Sequence, residues 1–319
     1  MAAPSDPESF GVEVWRGGAN AWECDENGHL NVRFYLAKAA EALVGLTAEL
    51  GLAGAFSPRA GATLVPRETH IRYHREVRAG GALHIRGGVL ALGESDARLL
   101  FVLIHSHDGA VAATVRMAVE HVTPADAKPF PWPARAIDRA AAITATAPAY
   151  AAPRGVDLAT APVAASWAQA DALGLVAIAS GAVLPQDCDV FGRMRIEQFL
   201  GRASDGVERL AAPIRQRVAE ARGAAAARLG GVALESRLAH RRWPCVGDRV
   251  VIRSGVAGAD RNTYRLVHWL LDPDGGQAFG SNEVVAAVFD LDARKVVPLP
   301  PPVRAALEES AVKALTAGA

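Results

Sequence analysis

A short run near the N-terminus combines residue types that could bind and attack an acyl group. Residues 22–31 read WECDENGHLN and lead into a helix with an apolar stripe. Asp25 could act as a general base or as a nucleophile. The first backbone N–H groups of a helix have no partner within it, so such a turn suits an acyl or anionic ligand.

A second copy of this run follows at an offset of 164 residues. Residues 186–194 read QDCDVFGRM, with Asp189 and Gly192 in place of the first aspartate and glycine. Arg193 and Arg195 replace the histidine and the asparagine of the first copy. Two cations one turn away would keep Asp189 ionised and lower its basicity. We therefore expect either a second catalytic carboxylate or a salt-bridged remnant.

The segments after each copy predict a small α+β unit. Apolar residues at spacings of three and four predict a helix that Asn31 caps and that ends at Gly51. Alternating or continuously apolar runs then predict four antiparallel strands, with hairpin signals such as Asp108-Gly109 between them. The same order follows the second copy, where Pro213 is expected to interrupt the helix and more helix is expected from Ile214 to about Leu229. The predicted strands cover residues 64–74, 82–92, 98–107 and 111–120 and then 232–240, 249–256, 264–271 and 277–289.

The recurrence of four landmarks in one order indicates a tandem duplication. The turn motif, two hairpin turns and a proline-rich tail all recur at an offset of 164–169 residues. We predict two domains, residues 10–122 and 174–297. Between them lies a Pro/Ala-rich linker with a short helix, residues 123–173. A C-terminal proline-rich segment and helix, residues 298–319, completes the chain.

Composition limits the classes of function. The 319 residues are half hydrophobic, with 21% charged residues and a formal net charge of zero. A neutral chain has no global field that would favour nucleic acid or an anionic membrane. We find neither an apolar run of about 18 residues nor an N-terminal export signal. With three cysteines in no disulfide or zinc pattern, we expect a cytoplasmic protein that binds neither nucleic acid nor membranes.

The first copy resembles the active-site motif of the 4-hydroxybenzoyl-CoA thioesterase-like hotdog family. The resemblance rests on the pattern D-x-x-G-H-x-N that begins at Asp25, with Tyr35 ten residues after the aspartate. In the second copy only Asp189, Gly192 and the aromatic Phe199 at the tyrosine position match. In this family an antiparallel sheet wraps a long helix, which is the order predicted for both halves.

The resemblance implies a double-hotdog thioesterase, in which two hotdog domains in one chain form a pseudo-dimer. The family's acid maps to Asp25 and Asp189, and the helix-start amide that binds the thioester oxygen maps near Val32 and Ile196. Residues of both domains are expected at each site. The catalytic candidates are Asp25, His29, Asn31 and Asp189, and the substrate-binding candidates are Gly28, Val32, Tyr35 and Gly192.

Each candidate also has a structural interpretation. Asp25 could simply cap its turn, and His29 could either polarise the thioester or form hydrogen bonds within the turn. Asn31 could orient a water molecule or cap the helix, and Tyr35 could contact the substrate or pack in the core. Gly28 would let the backbone turn and approach a ligand.

Other polar groups are candidates for secondary sites. Coenzyme A carries a pyrophosphate and a 3′-phosphate, so arginines are expected near the mouth of the site. The histidine pairs His70/His74 and His105/His107 share strand faces, but no carboxylate or cysteine joins them at a metal-ligand spacing. We therefore predict no metal. The candidate arginines are Arg72, Arg75, Arg78, Arg237, Arg241 and Arg242.

The predicted function is hydrolysis of an acyl-CoA thioester to a free acid and coenzyme A. No cofactor is implied, since coenzyme A is part of the substrate and product. One alternative is an acyl-carrier-protein (ACP) thioesterase, and another is a non-catalytic acyl-CoA binding or sensing protein. Hotdog hydratases are disfavoured because their histidine-plus-aspartate signature is missing. Two such chains could also form a homodimer.

Overall fold

The computed structural model describes residues 6–223, 228–312 and 315, which form two units. The first unit contains the residues up to Ala152 together with Asp187–Gln198, and the second contains Pro153–Gln186 and the residues from Phe199 onward. Each combines helices with an antiparallel sheet, which confirms the predicted α+β class. Residues 1–5, in which we expect no export signal, lie outside the described part.

In the first unit one strand precedes the motif, a long helix follows it, and four strands come after. The strands are all antiparallel and lie side by side in the order β1-β3-β4-β5-β2. The elements are β1 (Val12–Gly18), α1 (Val32–Glu49), β2 (Thr63–Tyr73), β3 (Ala82–Leu92), β4 (Asp96–His105), β5 (Val111–Val122) and, in the linker, α2 (Ala134–Ala142).

The second unit repeats this arrangement strand for strand. Its order is β6-β8-β9-β10-β7, with a short additional strand, β11, on β10. Within the described residues no helix has the length and hydropathy needed to cross a membrane. The elements are α3 (Trp167–Ala172), β6 (Val176–Ala182), α4 (Glu197–Gly206), α5 (Glu208–Ala221), β7 (Leu229–His240), β8 (Arg249–Ala259), β9 (Tyr264–Leu271), β10 (Ala278–Asp290), β11 (Lys295–Val297) and α6 (Pro301–Glu309).

The break in the second long helix is not where the sequence predicts it. Pro213 lies inside α5, and the helix breaks earlier, between Gly206 and Glu208. A side chain at Gly206 would overlap the backbone carbonyl of Ile178 in β6, so the glycine permits this close approach. The helix predicted to continue to Leu229 ends at Ala221, and residues 224–227 of that prediction lie outside the described part.

The linker is attached to the first unit by arginine side chains. Arg72 donates hydrogen bonds from Nη1 to the carbonyls of Tyr150 and Ala152, at 2.9 and 3.0 Å. Arg116 donates from Nε to the carbonyl of Ala151 at 3.0 Å. Hydrogen bonds to a charged group are among the stronger ones, and the linker up to Ala152 belongs to the first unit.

The second unit binds the next part of the linker, residues 154–160, also through charged side chains. The buried Glu235 accepts hydrogen bonds from the backbone N–H groups of Arg154 and Gly155. Arg237 donates to the carbonyls of Asp157 and Thr160. The predicted linker is therefore fixed along much of its length.

A glycine in α1 provides a test of the helix-to-strand packing. A side chain at Gly45 would overlap the carbonyl oxygen of Val14 in β1. We expect Gly45→Ala to lower the free energy of unfolding by about 1–3 kcal/mol, since overpacking forces the backbone to shift. Urea denaturation would measure the change, and Gly54→Ala is the control because its added methyl would meet no atom within 4 Å. Equal effects of the two substitutions would contradict this assignment.

Candidate active site

The side chain of Asp25 closes the turn of residues 25–29 in the first copy of the motif, called the first turn below; residues 189–193 form the second turn. Oδ1 of Asp25 accepts hydrogen bonds from the backbone N–H groups of Asn27 (2.9 Å) and His29 (3.1 Å). The backbone of Asp25 also bonds to the carbonyl of His29 and to the N–H of Gly28, which has a φ of +76°. Oδ2 of Asp25 has no hydrogen-bond partner among the described residues. One carboxylate oxygen therefore builds the turn and the other remains open.

The second turn has the same backbone but a different carboxylate environment. Oδ1 of Asp189 accepts from the N–H groups of Phe191 (2.9 Å) and Arg193 (3.0 Å), and Gly192 also has a φ of +76°. Here, however, the guanidinium of Arg193 donates to Oδ2 from Nε at 3.1 Å and from Nη2 at 3.0 Å. This guanidinium also lies over the Phe191 ring. Both oxygens of the second carboxylate are occupied, which corresponds to the salt-bridged alternative of the two that the sequence leaves open.

The start of α1 offers one open donor. Asn31 caps the helix, because its Oδ1 accepts from the N–H of Arg33 at 3.0 Å. The N–H of Val32, the first residue of α1, has no hydrogen-bond partner within the described part of the chain. Val32 is thus the donor available for an oxyanion at this helix start.

His29 faces Glu76, a carboxylate outside the predicted site residues. Its Nε2 lies 3.5 Å from Oε2 of Glu76, and 13% of its side chain is exposed. The two residues meet because the segment after β2 pairs with the turn, through a bridge between His29 and Arg78 and a bond from the N–H of Leu30 to the carbonyl of Val77. Nothing in the spacing of residues 29 and 76 signals this pairing.

Tyr35 supports the same segment from within the core. It is 4% exposed, its hydroxyl accepts a hydrogen bond from the N–H of Val77 at 3.3 Å, and its ring packs edge-on against Tyr73. Burial raises the pKa of Tyr35 well above its usual range, so the phenol stays protonated. In this structure Tyr35 holds the segment after β2 that carries Glu76.

A buried ion pair connects the turn to the helix. Lys38 is 3% exposed, and its Nζ donates to both oxygens of the Glu23 carboxylate at 2.9 Å. The backbone carbonyl of Glu23 accepts from the N–H of Asn31 at 2.9 Å. Lys38 lies on the same helical stripe as the buried Tyr35 and Ala42. This spacing is the sequence signal that could identify Lys38 as a buried cation, which requires a carboxylate partner.

Most of the candidate phosphate-binding arginines already have partners. Arg72 and Arg237 hold the linker, and Arg75 is paired with Asp108. In contrast, Arg78 is exposed, and its guanidinium has no partner among the described residues. The backbone of Arg78 forms a β-bridge with the backbone of His29. Arg78 is therefore joined directly to the first turn. The remaining two also have partners: Arg241 bonds to linker carbonyls and Arg242 to Asp272.

His70 lies on β2 and His105 on β4, but His74 and His107 follow the ends of these strands, so neither predicted pair shares one strand; the rings of His105 and His107 are 5.6 Å apart. In the described ranges no group of three or more histidine, cysteine or acidic side chains is arranged to hold a metal ion. Cys24, Cys188 and Cys245 are all free thiols.

The order of an aspartate turn, a helix and then antiparallel strands occurs twice along the chain, with the helix broken in the second copy, and defines a double-hotdog protein of the thioesterase-like class. The sequence matches the profile of the Thioesterase-like superfamily over residues 19–140 and again over 183–307. The chain belongs to this superfamily and is a thioesterase-like hydrolase. No curated protein matches the sequence at a significant level.

Solved structures with the same fold span nearly the whole chain. A protein from Lactobacillus plantarum provisionally described as an oleoyl thioesterase superposes with a TM-score of 0.64 at 12% identity, covering 88% of this chain and 98% of its own. An acyl-ACP thioesterase from Bacteroides thetaiotaomicron gives 0.60 at 12% identity, covering 85% and 96%. The 12:0-ACP thioesterase from Umbellularia californica gives 0.60 at 12% identity, covering 86% and 93%. At this identity the likeness is one of fold.

The Glu23–Lys38 pair can be tested by removing its cation. We expect Lys38→Met to destabilise the protein toward the lower end of the roughly 3–5 kcal/mol seen when a buried ion pair loses one partner. The lower end is expected because Glu23 keeps a hydrogen bond from the backbone N–H of Asn20. Chemical denaturation measures the effect, and Lys128→Met, at an exposed lysine, is the matched control.

The double variant Glu23→Gln with Lys38→Met completes a thermodynamic cycle. If the pair is coupled, the double variant loses less stability than the sum of the single variants. Additive losses would contradict a direct role for the pair in joining the turn to α1.

Proposed function

We propose that this protein hydrolyses an acyl thioester at the first turn, with Asp25 as general base or nucleophile and the N–H of Val32 as donor to the thioester oxygen. The observation that carries the proposal is the difference between the two turns. Oδ2 of Asp25 is open, whereas the corresponding oxygen of Asp189 is held by Arg193. Only the first carboxylate can take a proton or attack carbon without losing a bidentate ion pair.

The two routes make different use of the same oxygen. As a general base, Oδ2 takes a proton from water while the water oxygen attacks the carbonyl carbon, and the C–S bond then breaks to release the thiol. As a nucleophile, Oδ2 itself attacks that carbon, the thiolate leaves, and water hydrolyses the resulting anhydride. In both routes negative charge develops on the carbonyl oxygen, where a fixed N–H donor such as that of Val32 is most effective.

Two neighbours support this assignment by fixing the carboxylate. The hydrogen bonds from Asn27 and His29 to Oδ1 leave Asp25 little freedom to rotate. The cap by Asn31 uses the N–H of Arg33 and so leaves that of Val32 for the substrate. Asp189 and Gly192, in this proposal, retain the shape of the turn without its chemistry.

The acyl carrier is coenzyme A in our proposal. The open guanidinium of Arg78 suits a phosphate of the carrier, since arginine binds phosphate with paired hydrogen bonds. A 4′-phosphopantetheine group on an acyl carrier protein offers a phosphate as well, and two of the similar folds are ACP thioesterases. Substrates with both carriers therefore belong in the experiment. We also propose a cytoplasmic location, which the three free thiols support.

The main test is release of free thiol from acyl-CoA and acyl-ACP panels by wild type, Asp25→Asn and Asp189→Asn. Asparagine keeps the Oδ1 acceptor and so preserves the turn, but it cannot act as base or nucleophile. We expect Asp25→Asn to lower kcat/KM by about 10²–10⁴-fold, the typical contribution of a positioned base. Asp189→Asn is the matched control and should change kcat/KM by much less.

Turnover that survives Asp25→Asn would overturn the role of Asp25. Binding of acyl-CoA by wild type with no thiol release across either panel would instead identify a non-catalytic acyl-CoA binding protein.

Arg78 gives a separate prediction about the carrier. Arg78→Gln should raise KM for acyl-CoA by about tenfold or more, which corresponds to the loss of one hydrogen bond to a charged group, and should leave kcat nearly unchanged. Steady-state kinetics at two salt concentrations measure this. Arg75→Gln, at an arginine already paired with Asp108, is the control, and equal effects of both substitutions would exclude a specific role for Arg78.

A further inference from the structure

A tryptophan next to the first turn is exposed to solvent. Trp22 lies three residues before Asp25, and 78% of its surface is exposed. The other five tryptophans are buried or half-buried. Because an indole ring is one of the largest apolar surfaces that a protein can bury, leaving it in solvent gives up a stabilising contribution. The position of Trp22 therefore calls for a ligand or partner that covers the ring.

Hydrogen bonds fix the backbone on both sides of Trp22. The N–H of Glu23 bonds to the carbonyl of Asn20 at 3.0 Å, and the N–H of Cys24 bonds to the carbonyl of Ala21 at 3.2 Å. The carboxylate of Glu23 accepts in turn from the N–H of Asn20 at 2.8 Å. Since this short helix is already ordered, presenting the ring to a ligand requires little further loss of backbone freedom.

Arg78 lies on the chain segment to which this loop is joined. Before Trp22, the carbonyl of Ala19 accepts from the N–H of Gly80 at 2.8 Å. After Trp22, the first turn pairs with the same segment through the bridge between His29 and Arg78. Trp22 therefore lies between two points at which its loop is joined to the segment of Arg78, and both side chains are exposed.

The second copy has neither the ring nor the guanidinium. Gln186 occupies the position of Trp22 at the offset of 164 residues. A backbone bond from the N–H of Gly247 repeats the one made by the corresponding glycine of the first copy, which aligns Cys245, two residues earlier, with Arg78. The exposed ring and the open guanidinium thus belong to the copy whose aspartate keeps an open oxygen, and both are replaced in the copy whose aspartate is held by an arginine.

A flat aromatic face together with an unpaired guanidinium suits a nucleotide. An aromatic ring stacks on a base, and arginine binds phosphate with paired hydrogen bonds. The surroundings suit a large acidic protein surface less well, because Arg75 is paired with Asp108 and Glu26 is an exposed acid on the turn. One open guanidinium can hold one phosphate, whereas docking of an acidic protein relies on a complementary positive patch.

We propose that Trp22 and Arg78 form a nucleotide-binding subsite, in which the indole stacks on an adenine base and the guanidinium binds a phosphate. Coenzyme A carries both groups at the end remote from its thiol. A phosphopantetheine arm on a carrier protein has a phosphate but no base, so the base is what selects coenzyme A. Where it names coenzyme A as the carrier of the acyl group, the inference rests on the proposed function.

The experiment first measures binding without a thioester. The probes are adenosine 3′,5′-bisphosphate, which has a base, and 4′-phosphopantetheine, which has a phosphate but no base. Calorimetric titration compares the full-length wild type with Trp22→Gln, which introduces the residue of the second copy, and with Trp22→Phe. We expect Trp22→Gln to weaken binding of the bisphosphate about tenfold and Trp22→Phe to retain most of it, because phenylalanine keeps an aromatic face. The affinity for 4′-phosphopantetheine should be alike in all three proteins.

Gln186→Ala, at the equivalent position of the second copy, is the matched control and should bind the bisphosphate as wild type does. Because Trp22 is exposed, its substitutions should leave the fold intact, which urea denaturation checks. No saturable binding of the bisphosphate by wild type would overturn the proposal. Equal affinities of wild type and Trp22→Gln, or an equal loss for 4′-phosphopantetheine, would overturn the stacking role of Trp22.

Steady-state kinetics then test whether the nucleotide belongs to the substrate. Trp22→Gln should raise KM for acyl-CoA about tenfold and raise KM for the same acyl group on pantetheine far less. If the bisphosphate binds as expected but this difference is absent, the assignment to coenzyme A fails. A larger loss for acyl-ACP than for acyl-CoA would place a carrier protein against Trp22 and contradict the proposal. Absence of thiol release from every substrate would contradict the proposed function and leave the binding result unchanged.

Discussion

The turn before each long helix depends on one carboxylate oxygen that accepts two backbone N–H groups. Without it, the N–H groups of residues 27 and 29, or of 191 and 193, would point into a tight turn with no partner. The glycine at φ +76° completes the geometry in both copies. Because this use of the carboxylate leaves only one oxygen for chemistry, the fate of that oxygen decides what each turn can do. In the second copy Arg193 donates to this oxygen of Asp189, whereas in the first copy the corresponding oxygen of Asp25 has no partner among the described residues.

The buried Glu23–Lys38 pair shows how the helix start is held at a fixed position. Glu23 bonds to Lys38 through its side chain and to Asn31 through its carbonyl, so the turn and the cap are tied to α1 at two points. An oxyanion donor is effective only when it is in place before charge develops. The ion pair thus belongs to the positioning of the site, although neither group faces a substrate in our proposal.

The sequence predicted the parts of this architecture that are local. The helix cap at Asn31, the end of α1 before Gly51 and the hairpin at Asp108-Gly109 all follow from residues a few positions apart, and the structure confirms them. The pairing of Asp189 with Arg193 is equally local. By contrast, Glu76 reaches His29 only through strand pairing across more than forty residues, which no spacing reveals. The break in the second helix lies before α5 and not at the predicted Pro213, and the approach of Gly206 to β6 does not by itself account for it, since Gly45 approaches β1 as closely in the unbroken α1.

The contacts that anchor the linker affect whether the two copies could exist as separate domains. Ala151 packs in one buried cluster with Phe10, Leu100, Val102 and Ile104, and Arg72 and Arg116 hold the backbone on either side of it. The segment that joins the two copies is therefore more than a connection between two domains. It packs against the first unit and forms part of its structure. A copy released by a cut after its last strand would expose an apolar sheet face and two arginines without their carbonyl partners. Such a fragment would tend to aggregate, which makes a return from fused chain to independent domains difficult for evolution.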